Sequence, residues 1–146
     1  MSAATAHDAN PYLAGAAAAS LLADLRKTTD GGTGDRLSAA IRAVTKAGST
    51  LPTGEVESAI AAIALLLAEY QPALLDGAAD EQGLRGWLAN VDTELTPGRK
   101  LAASAAIGRI ALGLNNQWYD EHVDAGTLGA ALTALFRLRD ALTDSG

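Results

Sequence analysis

The sequence contains no cysteine, and histidine is nearly as rare, since His7 and His122 are the only two. Disulfide bonds, thiol nucleophiles and cysteine-ligated zinc are therefore excluded. A histidine-based metal site on helices needs several ligands at i, i+3 or i+4 spacing, and neither histidine has them. Asp120 and Asp124 share a helical face, which is also typical of a solvated surface. We expect no metal ion and no cofactor, and the lack of cysteine is compatible with a cytoplasmic location.

Basic residues are few and scattered along the chain. There are 11 Lys and Arg against 17 Asp and Glu, a formal charge of −6. Proteins that bind nucleic acids or membrane surfaces usually carry a basic stripe, so neither partner is expected. No apolar run approaches the roughly 20 residues of a membrane span. A secretory signal would need Lys or Arg before its apolar region, and neither precedes the alanine-rich N-terminal segment here. The acidic surface would instead suit a basic protein partner.

Aromatic residues make up only 4% of the chain. A β-sheet needs β-branched or aromatic residues that alternate with period 2, and no such run is long enough here. Alanine, the best helix former, supplies the largest share of the apolar residues. The sequence therefore predicts an all-α fold, a single-domain irregular or orthogonal bundle of six to seven helices.

The length of 146 residues fits one domain. Residues 1–9 are predicted to be a flexible N-terminal arm, and residues 10–146 a single helical domain. Asn10 and Pro11 are typical of an N-cap and a first helical position, which predicts a first helix ending near Lys27. A glycine-rich loop is expected at residues 28–35. It leads into a second helix that ends near Lys46.

The third predicted helix has the most regular apolar spacing, and Thr53 is its predicted cap. Because alanines lie between its large apolar residues, neighbours can approach closely, and we expect this helix at the centre of the bundle. Its predicted buried face consists of Val56, Ile60, Ile63, Leu67 and Tyr70.

Four further helices are expected over residues 80–91, 97–114, 116–125 and 128–142. Thr96, followed by Pro97, is the predicted cap of the second of these, and Thr127 is that of the last. On the helix over residues 97–114, the residues predicted to face inward are Ala103, Ile107, Ile110 and Leu114. On the helix over residues 128–142, they are Leu128, Ala131, Leu132, Leu135, Leu138 and Leu142.

The sequence contains no recognisable catalytic motif. Its serines lack the G-x-S-x-G setting, and only His122 could serve them as a base. The stretch "GGTGD" lacks the Lys-Ser/Thr of a phosphate-binding loop and the final Glu of a calcium loop. The sequence therefore favours binding over catalysis.

The segment "NNQWYDEHVDAG" (residues 115–126) collects the unusual side chains of the chain. On a helical wheel Val123 joins the aromatic residues on one side, and the acids lie on the other. Core packing is the simpler explanation for the aromatic residues, but Trp and Tyr are also favoured anchors of protein interfaces. We predict partner contacts by Trp118, Tyr119 and His122. The residues predicted to steer a basic partner are Asp120, Glu121 and Asp124.

Two functions from different classes fit these features. The first is a non-enzymatic protein–protein interaction module: an acidic helical adaptor, an accessory subunit or an immunity-like inhibitor. The alternative is a small-molecule-binding helical protein, or a small enzyme, with an interhelical pocket lined by Tyr70, Trp87, Trp118 and His122. Self-association into a homo-oligomer through alanine-rich faces is a third interpretation.

Six segments of the chain can be compared with a known protein family. In chain order they are "RLSAAIRAV", "TGEVESAIAAIALLLA", "GLRGWL", "KLAASAAIGRIAL", "NQWYDEH" and "LGAALTALFRLRDAL". Together, over about residues 36–142, they resemble an uncharacterised family of small bacterial all-α domains. The usual opening of that family, a segment with glycine and tryptophan followed by Asp-Asn-Asp, is missing here. That family has no established activity, so the resemblance implies an all-α fold and carries over no catalytic role.

Overall fold

The computed structural model describes residues 10–27, 31–46 and 50–145. These residues form seven α-helices and no β-strand, which confirms the predicted all-α fold. A short 3-10 helix, Pro72–Leu75, lies between the third and fourth α-helices. The α-helices are α1 (Ala16–Lys27), α2 (Thr33–Lys46), α3 (Thr53–Leu67), α4 (Glu81–Leu88), α5 (Pro97–Leu112), α6 (Gln117–Ala125) and α7 (Leu128–Asp144).

Parts of the predicted chain organisation lie outside the described residues. These parts are residues 1–9, for which a flexible arm is predicted and which include His7, and residues 28–30 of the predicted glycine-rich loop. The division into an arm and a single domain therefore stays a prediction. The second helix, α2, begins at Thr33 rather than at Asp35, so its first turn uses residues that were predicted to be loop.

Helix α3 lies at the centre of the bundle, as predicted. It packs against α1, α2, α5, α6, α7 and the 3-10 helix, and each of its residues from 59 to 67 is buried. Burial extends beyond the predicted face because the small alanines let neighbouring helices approach from the other sides. Tyr70 does not belong to this face, and that part of the prediction is wrong. The helix ends at Leu67, and Tyr70 lies in the turn that follows, 49% exposed.

Asn10 caps a turn and not the first helix. Its Oδ1 accepts hydrogen bonds from the backbone N–H groups of Tyr12 (3.0 Å) and Leu13 (2.9 Å). Its Nδ2 donates to the carbonyl groups of Leu74 (2.9 Å) and Asp76 (3.1 Å). Helix α1 therefore begins only at Ala16. The preceding residues 10–15, the N-terminal turn, are tied to the 3-10 helix instead.

The start of α6 is fixed by backbone and side-chain bonds around Asn116, which is buried. Its Oδ1 accepts from the N–H of Tyr119 (3.0 Å), and its Nδ2 donates to the carbonyl of Ile110 (2.9 Å). The N–H of Leu51 donates to the carbonyl of Asn115 (2.7 Å), which joins α6 to the segment before α3. Leu114, predicted to face inward, is 63% exposed, because α5 ends at Leu112.

The other helix signals give mixed outcomes. Thr96 is confirmed as the cap of α5, since its Oγ1 accepts from the N–H of Arg99 (3.2 Å). Thr127 precedes α7, but its side chain makes no capping bond. Helix α4 ends at Leu88, before the predicted residue 91. The inward face of α7 is confirmed at its centre and C-terminal end, where the buried residues are Ala134, Leu135, Leu138, Ala141 and Leu142.

Candidate functional site

Helix α6 divides its predicted aromatic side between core and solvent. Trp118 is only 5% exposed, and Tyr119 is half-buried with its ring against Gly113. Val123, which the helical wheel places on the same side, is 51% exposed. Helix α6 packs mainly against α3 and α7, and its Tyr119 ring also meets Gly113 at the end of α5, so its buried stripe is narrow. Trp118 is therefore packed in the core, and its predicted contact with a partner stays a prediction.

Two contacts hold the His122 ring in place. It lies edge-on to Trp118, with 4.7 Å between ring centroids and 71° between the ring planes. Its Nδ1 is 2.7 Å from the Oγ1 of Thr127, just past the end of α6. The pair with Thr127 occupies Nδ1 and leaves Nε2 as the nitrogen that can meet a ligand.

Trp118 and His122 line a half-enclosed cavity of about 270 Å³, which we name the α6 cavity. Its walls come from the N-terminal turn, α3, α6, Thr127 and α7. Most of the lining is apolar, with a few polar groups between, as is typical of ligand pockets. The lining residues are Pro11, Tyr12, Gly15, Glu57, Ile60, Trp118, His122, Thr127, Ala130, Ala131, Ala134 and Leu135.

Tyr12 fixes the wall that the N-terminal turn contributes. Its side chain is buried, and its hydroxyl donates to the carbonyl of Ala134 (3.0 Å) on α7. Burial raises the pKa of this phenol, and the positive charge of Arg137 lowers it by a smaller amount. The hydroxyl therefore stays protonated at neutral pH and holds the turn against α7.

Glu57, on α3, is the most informative residue of the α6 cavity. It is half-buried, and its carboxylate lies against Gly15, where a methyl group would come within 2.6 Å of Oε1. The glycine thus makes room for the carboxylate. Among the described residues, none forms a hydrogen bond or an ion pair with Glu57. A carboxylate in this setting normally has a partner, because partial burial removes water without replacing its hydrogen bonds.

Sequence reasoning missed both Glu57 and the N-terminal turn as site components. Glu57 fitted a simpler interpretation, an acid near the positive end of the α3 dipole. The available signal was its position on a helix whose neighbouring residues Val56 and Ile60 are both apolar. Nothing in the sequence indicated that residues 10–15 pack beside it.

The predicted four-residue pocket does not exist as one site. Trp118 and His122 line the α6 cavity, whereas Tyr70 lines a second and more open cavity of about 650 Å³. Trp87 is half-buried against the core and lines neither cavity. The grouping was wrong because Tyr70 lies beyond the end of α3 and Trp87 lies on α4, away from α6.

We name this second space the Arg85 cavity, after the side chain that dominates its wall. Arg85 donates to the carboxylates of Glu81 (2.9 Å) and Asp76 (2.9 Å) and to the carbonyl of Pro72 (3.0 Å). The N–H of Gly77 and the guanidinium of Arg85 hold the pKa of Glu81 below its ordinary value. Arg85 thus pairs with two acids that lie outside the cavity lining, and these bonds join the 3-10 helix and the turn after it to α4.

The acids of α6 lie where the helical wheel predicts, on its exposed side. Asp120, Glu121 and Asp124 are all exposed. Glu121 accepts a hydrogen bond from the Thr53 hydroxyl (2.7 Å) at the start of α3. Thr53 was predicted to cap α3, but Pro52 holds the cap position and the hydroxyl serves Glu121 instead. Asp120 and Asp124 therefore present the acidic surface of this helix.

Within the described part of the chain, no three His, Asp or Glu side chains are close enough to hold a metal ion. None of the helices in these ranges is both long and apolar enough to cross a membrane.

No family model, no curated protein and no solved structure matches the chain. The resemblance to a family of bacterial helical domains therefore stays a prediction.

Proposed function

We propose that this protein is a non-enzymatic binding protein that holds a small organic molecule in the α6 cavity. The observation that carries the proposal is the half-buried carboxylate of Glu57, which has no partner among the described residues and lies in an apolar cavity beside Trp118 and His122. A ligand in this space would cover apolar surface and supply the missing partner. The volume of about 270 Å³ is near the lower limit of ordinary ligand pockets and favours a compact molecule.

The arrangement supports binding better than catalysis. The hydroxyl of Thr127 touches the His122 ring at Nδ1, which resembles a nucleophile beside a base. A catalytic triad needs a third group that orients the base, and no described carboxylate bonds to this ring. The pair is instead explained by the turn between α6 and α7, where the N–H of Thr127 also donates to the carbonyl of His122 (2.9 Å).

A fragment screen read by NMR and by thermal shift tests this function. The chain has two tryptophans, and of these Trp118 lines the α6 cavity while Trp87 does not. A bound fragment should therefore move the indole signal of Trp118 and leave that of Trp87 in place. Ala131→Leu fills the cavity from α7, so it should abolish the response. Ala105→Leu makes the same change on an exposed position of α5 and serves as the control. If fragments bind wild type and Ala131→Leu equally, the α6 cavity is not the site.

The exposed acids of α6 favour a second candidate function, the binding of a basic protein. Asp120 and Asp124 lie on the outer side of the helix whose inner side lines the α6 cavity. Charges placed in this way steer an oppositely charged partner. A partner captured from the native host should be lost with Asp120→Asn/Asp124→Asn and at high salt, and retained with Asp144→Asn. Equal capture by all three proteins would count against this candidate.

A further inference from the structure

We infer that the ligand of the α6 cavity carries a primary ammonium group next to a compact apolar body. This inference rests on the proposed function and names the chemical class of its ligand. It is carried by the charges around the cavity, by the position of Glu57, and by the aromatic and aliphatic side chains nearby.

The charge of the described lining favours a cation. Glu57 contributes a carboxylate, and neither Lys nor Arg is among the lining residues. Arg137 acts on Tyr12 electrostatically, but it lines a neighbouring cavity together with Asp140. The whole chain carries a formal charge of −6, which also draws cations toward it. An anionic ligand would meet repulsion both at Glu57 and from the surrounding field.

The hydrogen-bonding state of Glu57 favours an ammonium group over a neutral polar group. The carboxylate accepts hydrogen bonds and cannot donate them, and no described residue donates to it. An ammonium group supplies up to three donors together with the opposite charge, and such charge-assisted hydrogen bonds are the stronger kind. A hydroxyl group would supply one donor and leave the charge uncompensated.

The remaining lining suits the rest of such a molecule. Ile60 and Leu135 offer aliphatic surface, and Trp118 and Tyr12 offer aromatic rings that attract cations as well as apolar groups. The alanines of α7 leave the space open, whereas larger side chains there would fill it. A short alkyl or aryl chain that ends in an ammonium group matches this combination.

Three probes with the same phenylethyl body and end groups of different charge test the inference: 2-phenylethylammonium, 2-phenylethanol and 3-phenylpropionate. Each is titrated into wild type, Glu57→Gln and Glu55→Gln, with calorimetry for affinity and the two indole signals for location. Glu55→Gln is the matched control, because it removes the same charge from an exposed position of the same helix, outside the cavity. Thermal unfolding verifies that the variants are folded.

We expect only the ammonium probe to bind wild type and shift the Trp118 indole signal. Glu57→Gln should weaken this binding at least about tenfold, while Glu55→Gln should change it less than about twofold. Equal binding of the alcohol or the carboxylate, or equal losses in both variants, would overturn the cation inference and leave the cavity proposal standing. If neither these probes nor the fragment screen moves the Trp118 signal, both proposals are wrong.

Discussion

The α6 cavity and the Arg85 cavity both open between helices, but they differ in whether the half-buried charged side chain in their lining has described hydrogen-bond partners. In the larger Arg85 cavity the guanidinium bonds to Glu81, to Asp76 and to a backbone carbonyl. In the smaller α6 cavity the carboxylate of Glu57 has no described partner. The bonds of Arg85 join elements of the fold, while we propose that the carboxylate of Glu57 is available to a ligand. The larger cavity is thus not the one whose half-buried charged side chain lacks a described partner.

The largest expected effect comes from removing one aromatic wall of each cavity. Trp118→Ala should lower the free energy of unfolding by about 4 kcal/mol, because it empties a buried site in the core. Tyr70→Ala should cost less than about 1 kcal/mol, because half of this side chain is already in water. Urea unfolding at neutral pH measures both. Similar losses of unfolding free energy in the two variants would mean that Trp118 and Tyr70 contribute equally to the core.

A change behind α6 should disturb the α6 cavity without touching its lining. Gly113 has a φ of 77°, and a methyl group there would lie 2.9 Å from the Tyr119 ring. Gly113→Ala should therefore cost about 3 kcal/mol, from the left-handed backbone and the displaced ring together. Gly126→Ala is the matched control, since its φ is 73° and nothing lies near its added methyl group.

For the control, the free energy of unfolding should fall by only about 1 kcal/mol, the cost of placing alanine in the left-handed backbone conformation. Both losses are read from urea unfolding, and the indole signal of Trp118 reports whether α6 has moved. If Gly113→Ala costs no more than Gly126→Ala, the ring of Tyr119 does not hold this helix in place.

The sequence predicts the helices of this fold better than its loops, and the two cavities show why. The spacing of Val56, Ile60 and Ile63 predicts the central helix, because apolar periodicity is a local property. Local signals also identify Asn10 as a cap, but they do not tell a capped turn from a capped helix. That choice depends on the bonds of Asn10 to residues 74 and 76, far along the chain.

The candidate site was predictable only in part, for a related reason. Trp118 and His122 lie one helical turn apart, so their proximity follows from the sequence. Glu57 and Gly15 belong to segments whose contact is set by how α3 and the N-terminal turn pack, which no local pattern encodes. Tyr70 and Trp87 were grouped with the site by residue type alone, and the fold separates them.

The pair of Arg85 and Glu81, beside the Arg85 cavity, should respond to acid. Because the N–H of Gly77 and the guanidinium of Arg85 lower the pKa of Glu81 in the folded state, Glu81 stabilises the fold at pH values above its ordinary, unfolded-state pKa. This contribution is lost as the pH falls from there through the lower pKa of the folded state. Glu81→Gln should therefore flatten the acid side of the stability curve, measured by urea unfolding between about pH 7 and pH 3. An unchanged curve would refute this role.

Glu57 should give the smallest effect on stability, and this is where the contrast between the cavities is sharpest. Glu57→Gln keeps the shape of the side chain and removes a charge that no described residue pairs with. Its free energy of unfolding at neutral pH should therefore stay within about 0.5 kcal/mol of wild type. A loss of about 1 kcal/mol or more would show that the carboxylate already has a partner in the protein. Glu57 would then resemble Glu81, and the charge would serve the fold in both cavities instead of a ligand in one.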